Sequence, residues 1–198
     1  PWRGPNLPTV TPEFTEGSAF RAGSLAFGPN DFLGIPDTSV THVGQPGFVV
    51  SAWVVVGDQE RGARSPAIIS QLSADGEGFL MGLRVLDDEI RLSGQVSVVG
   101  GRVGGAHQRV LEKHRPYLLS MFYPGDGTLF LAVDGQIQPI EDAGGTGEVL
   151  FAPTPLTIGN TPVAAEGVTG GFVGQLKMAQ FVLWPDLGPS PGPGPSGG

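Results

Sequence analysis

Short runs of alternating apolar residues, separated by Gly, Pro, Asn and Asp, recur along most of the chain. The strongest run is GFVVSAWVVV at 47–56, which is rich in β-branched and aromatic residues. Further runs lie at 24–27, 32–35, 67–72, 78–86, 89–99, 117–123, 128–138, 155–160 and 170–184. Strands at this spacing are typical of a sandwich or a barrel. The best helical candidate, 106–117, is broken by Pro116, so the sequence predicts an all-β fold.

Length and composition fit one domain built from such strands. The chain has 198 residues, of which 39% are hydrophobic, and this is enough for a substantial core. Gly (33) and Pro (19) lie mostly between the apolar runs, where turns need them. We predict an extended Pro-rich arm over 1–19, a sandwich domain over 20–187 and a flexible Pro/Gly-rich tail over 188–198. The arm is a candidate docking segment for an assembly partner protein.

The charge balance argues against nucleic acid as a partner. The formal net charge is −8 and the pI is about 4.7, whereas binding to phosphates relies on Lys and Arg. The chain has no cysteine, which excludes disulfides and thiolate zinc sites. No apolar stretch reaches the length of a transmembrane helix, so we predict no membrane span.

Aromatic residues are assigned to core or surface by their neighbours in the sequence. Trp53 lies in the run that is apolar on both faces, as expected of a strand covered on both sides, so we predict that it is a core residue. Trp2, Tyr123 and Phe151 lie near loops, and we expect these rings to be exposed, where a flat apolar face can meet a sugar ring.

Acidic residues in the predicted turns are candidate ligand-binding residues. Asp75, Asp87, Asp88 and Asp126 all lie between apolar runs. Calcium takes six to eight oxygen ligands, often from several loops, so these turns, together with Glu77 and Asp142, are also candidates for calcium. The alternative is that Asp serves only as a hairpin corner, because Asp-Gly is a preferred turn sequence and needs no metal to explain it.

The glycine-rich segment 100–107 (GGRVGGAH) is predicted to be a surface loop suited to recognition. It lacks the Lys-Ser/Thr of a phosphate-binding loop. Arg102 and His107 in this segment complete the predicted ligand-binding set of Asp75, Asp87, Asp88, Arg102, His107, Tyr123 and Asp126.

The sequence shows no catalytic constellation. Glycoside hydrolases need two carboxylates that face one groove, and the only acidic cluster, 87–89, is explained by a solvated hairpin turn. The histidines at 42, 107 and 114 are scattered and are expected to lie in loops. We therefore predict that the chain is not an enzyme, has no catalytic residue and has no resident cofactor.

The order of several motifs resembles laminin-G-like domains of the concanavalin-A-like jelly-roll group. The first motif comprises Phe27, Asn30, Asp31, Phe32, Ile35, Pro36, Asp37, Phe48, Ser51, Trp53 and Val54. A later hairpin contributes Tyr123, Gly125, Asp126, Gly127, Leu129, Leu131, Val133, Asp134 and Gly135. PLTIGN and GGFVGQLKMAQFVLW resemble the closing strands. The resemblance spans 24–187 and implies an antiparallel two-sheet jelly-roll sandwich.

The chain departs from the pattern of that family in three places. His114-Arg115-Pro116 stands where many members have Trp-His-His, and Lys177-Met178 replaces a closing Asp-Glu pair. The Phe-Asp-Gly turn reads Phe27-Gly28-Pro29. These changes keep the fold but argue against metal binding of the family's kind.

The resemblance implies a non-catalytic binding module that recognises carbohydrate, such as a cell-surface polysaccharide. We expect it to act on the outside of a cell or a virion-like particle, as part of an adhesin or a phage-like appendage. Two alternatives remain open. One is an assembly domain of a spike, fibre or capsid decoration with protein partners, and the other is a glycoside hydrolase.

Overall fold

The structure is a computed structural model that describes residues 13–14, 19–21, 24–35, 47–59, 65–73, 75–140, 147, 149–150, 154–159 and 171–184. Of these, 13–14, 19–21 and 181–184 are described by their backbone only. The described residues form 14 strands in two sheets and contain no helix, so none of them forms a helix that could span a membrane. The predicted all-β class is confirmed.

Sheet A contains seven antiparallel strands. In spatial order they are β1 (Glu13–Phe14), β4 (Leu33–Ile35), β13 (Leu156–Ile158), β6 (Ala67–Leu72), β7 (Gly78–Leu86), β8 (Glu89–Val98) and β9 (Gly101–Leu111). The strands β6, β7, β8 and β9 follow one another in both sequence and space, so this half of the sheet is a meander.

Sheet B also contains seven antiparallel strands. In spatial order they are β12 (Gln136–Ile140), β11 (Leu129–Val133), β10 (Pro116–Tyr123), β5 (Gly47–Val56), β14 (Gly174–Trp184), β3 (Ser24–Phe27) and β2 (Ala19–Arg21). The long strands β5 and β14 pair over most of their length at the centre of this sheet.

The core lies between the inner faces of the two sheets. In β10 every second side chain is buried, from Tyr117 to Tyr123, as expected of a strand with one face on a core. The rings of Phe48 in sheet B and Phe79 in sheet A lie 5.0 Å apart between centroids. Gly94 of sheet A lies so close to sheet B that a Cβ atom there would be 2.7 Å from Leu131 Cδ2. The two sheets are therefore packed face to face.

The turns gather at the two ends of the sandwich, which we call end I and end II. End I carries the turns 73–77, 99–100 and 124–128, next to the Phe48–Phe79 pair. End II carries the turns 87–88, 112–115 and 134–135. Residues 112–115 connect β9 of sheet A to β10 of sheet B, so end II is the same end of both sheets.

The prediction that Trp53 is a core residue is wrong. Its side chain is 41% exposed and lies on the outer face of sheet B, between the buried inward residues Ala52 and Val54. The sequence of β5 is apolar at outward positions as well, but apolar composition alone does not show whether anything covers the outer face. Much of that face is open to solvent.

The prediction that 100–107 is a loop is also wrong, because this segment begins β9, the edge strand of sheet A. Its glycines allow close packing rather than irregular structure. A Cβ atom at Gly105 would lie 2.6 Å from Ile140 Cγ2, and one at Gly104 would lie 3.0 Å from the Gly94 carbonyl oxygen. Strand β9 thus needs small residues where it approaches β12 and β8.

The apolar run 128–138, which the sequence presents as one continuous run, forms two strands. Asp134 and Gly135 have positive φ values of 50° and 81° and form the tight turn between β11 and β12. Such a two-residue Asp-Gly turn is a strong hairpin signal. The Asp134 carboxylate accepts a hydrogen bond of 3.0 Å from the Leu118 backbone N–H, which joins the turn to β10.

Most of the predicted arm over 1–19 and all of the predicted tail over 188–198 lie outside the described residues. Within the arm, Glu13–Phe14 forms β1, which pairs with β4 of sheet A. Ala19, the last residue of the arm, begins β2 at the edge of sheet B. The boundary between arm and domain stays a prediction.

Candidate ligand-binding surfaces

The predicted ligand-binding residues do not form one cluster. Asp75, Arg102, Tyr123 and Asp126 lie at or beside end I, whereas the Asp87–Asp88 turn lies at end II. His107 lies in the middle of β9. Trp2 and Phe151 lie outside the described residues. The role of each predicted residue in binding stays a prediction.

Asp75 and Arg102 lie close together at end I. Asp75 belongs to the turn 73–77, which is closed by a hydrogen bond of 2.9 Å from the Ser73 N–H to the Glu77 carbonyl oxygen. Arg102 reaches this turn from β9, since a Cβ atom at Gly76 would lie 2.6 Å from an Arg102 guanidinium nitrogen. Both side chains are exposed, so they present opposite charges to solvent at this end.

Asp87 and Asp88 form the two-residue turn between β7 and β8, with φ values of 49° and 65°. Positive φ at both central positions is typical of a tight hairpin turn, and Asp is among the non-glycine residues that adopt it most readily. The hairpin interpretation of this acidic pair is therefore confirmed.

His107 is buried, with 5% of its surface exposed, so the expectation of a loop histidine is wrong. Its Nδ1 accepts a hydrogen bond of 3.0 Å from the Arg109 N–H, and its Nε2 lies 3.1 Å from the Gln136 carbonyl oxygen. Because Nδ1 accepts, the neutral ring carries its proton on Nε2 and donates it to that carbonyl. His107 thereby joins β9 of sheet A to β12 of sheet B.

Tyr123 is completely buried, so the expectation that its ring is exposed is wrong. Its hydroxyl donates a hydrogen bond of 2.8 Å to the Gly147 carbonyl oxygen. Burial raises the pKa of the Tyr123 phenol above its ordinary value of 10.0, although backbone hydrogen bonds at Gly127 and Gly147 oppose the shift. These contacts give Tyr123 a structural role at end I.

The candidate calcium ligands are divided between the two ends. Asp126 is exposed in the turn 124–128, where its Oδ1 accepts a hydrogen bond of 2.9 Å from the Thr128 N–H. Asp142 lies outside the described residues. Within the described part of the chain, no three Asp, Glu or His side chains come together as a metal site would need.

A groove of about 280 Å³ lies on the outer face of sheet A, and none of the predicted site residues lines it. We call it the A groove. It is lined by Arg84, Leu86, Glu89, Arg91 and Ala106. Strands β7, β8 and β9 hold these side chains at fixed spacing, because their inward neighbours, such as Leu83 and Leu92, are completely buried.

Arg84 and Arg91 are directly opposite each other across β7 and β8. Like charges at such positions destabilise a sheet by about 0.2–1 kcal/mol. Arg91 is held by the Glu89 carboxylate, at 2.6 Å and 3.1 Å, and it donates a further hydrogen bond of 2.8 Å to the Gln108 carbonyl oxygen. Arg84 is exposed and makes no ion pair with any described residue.

The outer face of sheet B differs from the A groove because it carries apolar and uncharged polar groups. Register pairs such as Trp53 with Leu118 and Phe122 with Phe130 place these groups on one face, and the latter rings are stacked 5.5 Å apart. We call this surface the B platform. It comprises Val49, Ser51, Trp53, Val55, Leu118, Ser120, Phe122, Phe130, Ala132, Ile137, Pro139, Met178 and Gln180.

Large apolar side chains of the B platform are open to solvent. Ile137 is 70% exposed, Met178 is 44% exposed and Trp53 is 41% exposed. Exposed apolar groups that lie together on one face mark a binding surface more often than do single scattered ones. The sequence did not predict this surface, because the residues on both faces of β5 are mostly apolar and resemble core residues.

The sequence also missed the A groove, although a signal for it was present. A two-residue turn at 87–88 fixes the hairpin register and so places Arg84 opposite Arg91. Asp87 and Asp88 were predicted as ligands themselves, whereas the groove is lined by the strand residues on either side of them.

Comparison with known proteins shows the fold. No protein-family model matches the sequence, and no curated protein matches it. Among solved structures, domains LG4-5 of the mouse laminin alpha1 chain match with a TM-score of 0.64 and 18% identity, over 84% of this chain and 44% of that one. The botulinum neurotoxin serotype G binding domain matches with a TM-score of 0.64 and 10% identity, over 88% of this chain and 43% of that one.

A third similar structure is the native heptameric SAP-like pentraxin from Limulus polyphemus. It matches with a TM-score of 0.51 and 15% identity, over 70% of this chain and 64% of that one. The chain thus spans less than two thirds of each of these three proteins. With its two antiparallel sheets, the chain has the jelly-roll sandwich fold of laminin G domains, as the sequence motifs predicted.

Proposed function

We propose that the chain is a non-catalytic carbohydrate-binding module and that the A groove is its glycan site. The observation that carries this proposal is the lining of the groove. Arg84 and Arg91 supply planar donors, Glu89 supplies a carboxylate acceptor, and Leu86 supplies an exposed apolar side chain. Sugars present hydroxyls that both donate and accept, beside an apolar ring face, so this combination suits them.

The size and position of the groove support a sugar rather than a larger cofactor. Its volume of about 280 Å³ is just below the roughly 300–1,000 Å³ of pockets for drug-sized ligands. It lies on an open sheet face, where a long polysaccharide can pass without threading through a loop. The side chains are held by hydrogen-bonded strands, so the site is formed before the ligand arrives.

The arrangement of carboxylates supports binding rather than hydrolysis. A glycoside hydrolase needs two carboxyl groups across the scissile bond, and the lining of the A groove includes one, Glu89. That carboxylate is held in an ion pair with Arg91 at 2.6 Å.

We further propose that the module acts outside the cell or on a particle surface, as part of an adhesin or a phage-like appendage. Two proteins that share its fold, a laminin and the binding domain of a neurotoxin, support a role in binding by analogy of fold. The net charge of −8 suits a protein that must stay dispersed in solution.

A glycan array tests the proposal when it is probed with the wild-type chain and two matched variants. Ala106→Trp fills the floor of the A groove, and Ala132→Trp adds the same ring to the outer face of sheet B. Both alanines are partly exposed on strands, where aromatic residues are well tolerated. We expect Ala106→Trp to abolish glycan binding and Ala132→Trp to leave it unchanged.

The same array, repeated with a chelator, separates calcium-dependent recognition from the recognition proposed here, which uses only side chains. We expect identical signals with and without the chelator. Absence of any glycan signal, or equal signals from the wild-type chain and Ala106→Trp, would contradict the assignment of the groove.

A second candidate function, protein assembly, is favoured by the B platform. Its apolar residues include exposed Trp53, Met178 and Ile137, and none of the residues that define it is charged. Light scattering with the wild-type chain and Trp53→Glu tests this candidate. A higher mass for the wild-type chain that falls in the variant supports assembly, and a monomer mass for both opposes self-assembly.

A further inference from the structure

The two arginines of the A groove differ in their partners, and this difference points to the class of its ligand. Glu89 makes two hydrogen bonds to Arg91 and so neutralises that guanidinium. The Arg84 side chain, on the same face, makes no hydrogen bond or ion pair with any described residue. The exposed Asp87 and Asp88 lie in the turn beside the groove, so the positive charge is that of the Arg84 guanidinium rather than of the groove as a whole.

The arginine pair is the opposite of what fold stability favours. Two arginines directly across a β-ladder repel each other, and a neutral residue at position 84 would remove that repulsion. The pair lies in a chain whose net charge is −8. The Arg84 guanidinium, which pairs with no described residue, is a local positive charge that attracts an anionic group.

We infer that the A groove binds an acidic saccharide and that Arg84 pairs with the carboxylate of that saccharide. This inference rests on the proposed function. The guanidinium fork of Arg84 matches the geometry of a carboxylate, and no protein group competes for it among the described residues. Arg91 is already held by Glu89 and by the Gln108 carbonyl oxygen, so Arg84 is the arginine of this pair that is left for a ligand.

The charge of the whole chain favours a ligand with isolated carboxylates over a densely charged polyanion. One carboxylate pairs with the Arg84 guanidinium. Each additional anionic group would face a protein of net charge −8, which repels it. A sugar acid such as a uronate or a sialate, spaced by neutral sugars, therefore fits the groove better than a heavily sulfated chain.

An array of carboxylated glycans, each printed beside its own methyl ester, tests this inference directly. Esterification keeps the shape of the sugar and removes its charge. The dissociation constant of the strongest pair is then measured by surface plasmon resonance for the wild-type chain, for Arg84→Gln and for Lys177→Gln. Lys177 is an exposed cation on strand β14 of sheet B, so its variant matches the change in charge at a distant place.

We expect the acid to bind the wild-type chain at least tenfold more tightly than the ester does. Arg84→Gln should lose this preference, and Lys177→Gln should keep it within twofold. Equal binding of acids and esters by the wild-type chain would overturn the inference and leave the proposed function intact. Failure of every glycan, neutral or acidic, would overturn the proposed function itself. Tighter binding of a sulfated polyanion that Arg84→Gln does not weaken would also overturn the inference.

Discussion

Arg84 and Arg91 lie directly opposite each other on β7 and β8, and of the two only Arg91 has a carboxylate partner among the described residues. A sheet whose only function was to support the core would gain stability from a neutral residue at position 84. We take this pair as the mark of a ligand, because a bound carboxylate would supply the missing counter-charge.

The first prediction concerns the stability of the ligand-free chain. Arg84→Gln should raise the free energy of unfolding by about 0.2–1 kcal/mol at low salt, because it removes a like-charge pair from neighbouring strands. The increase should shrink at high salt, where exposed charges are screened. Urea denaturation at two ionic strengths measures it, with Lys177→Gln as the control. A loss of more than about 1 kcal/mol would show that Arg84 supports the fold.

The second prediction tests the position of Trp53. Since the side chain is 41% exposed, Trp53→Ala should cost about 1–2 kcal/mol, below the roughly 3–5 kcal/mol of a fully buried Trp. Leu119→Ala, a completely buried neighbour in β10, should cost about 2–5 kcal/mol and is the reference. Denaturant titration of both variants decides the point. A larger loss in the free energy of unfolding for Trp53→Ala than for Leu119→Ala would show that Trp53 is a core residue.

The third prediction concerns the buried hydroxyl of Tyr123. Tyr123→Phe removes the hydrogen bond to the Gly147 carbonyl oxygen and should cost about 0.5–1.5 kcal/mol at neutral pH. An unchanged free energy of unfolding would mean that this hydrogen bond contributes nothing.

The buried Tyr123 phenol also predicts that the free energy of unfolding depends on pH in the alkaline range. Burial raises the pKa of Tyr123 in the folded chain above its ordinary value of 10.0, so folding favours the neutral phenol. This contribution is fully present below pH 10 and is lost as the pH rises through the folded pKa. The wild-type chain should therefore lose more stability above pH 10 than Tyr123→Phe does. Parallel losses in the two proteins would contradict the raised pKa.

The fourth prediction concerns the contact between strand β9 and strand β12. Gly105→Ala places a Cβ atom 2.6 Å from Ile140 Cγ2 and should cost about 1–3 kcal/mol, since the buried isoleucine has to move. In an Ile140→Ala background the same glycine change should cost much less, because the clashing group is gone. A double-mutant cycle measures this coupling. Additive losses in stability would show that the side chain at position 105 does not clash with Ile140.

The strands could be predicted from the sequence where their two faces differ or where a turn is unambiguous. Asp87-Asp88 was correctly interpreted as a hairpin turn, and β10 alternates as a half-buried strand should. The prediction failed at the glycines of β9, because their role is to admit Ile140 from the other sheet. A contact between sheets leaves no periodic signal in either segment.

The candidate site was harder to predict than the fold. Residues in or near the predicted loops were expected to bind a ligand, because loops carry many binding sites. In the structure, however, the polar atoms of His107 and Tyr123 make hydrogen bonds to backbone carbonyl oxygens of other segments. Arg84 is an ordinary outward position when β7 is considered alone. The proposed role of Arg84 in binding becomes evident only from the strand register, which places Arg91 opposite it, and from the ion pair that Glu89 makes with Arg91.

Backbone amide chemical shifts, followed as the isotope-labelled chain is titrated with its strongest glycan, test the central claim most directly. We predict the largest changes at Arg84, Arg91 and Ala106, with those of sheet B small. Changes centred on Trp53 and Met178, or on the turns of end I, would contradict the assignment of the A groove as the glycan site.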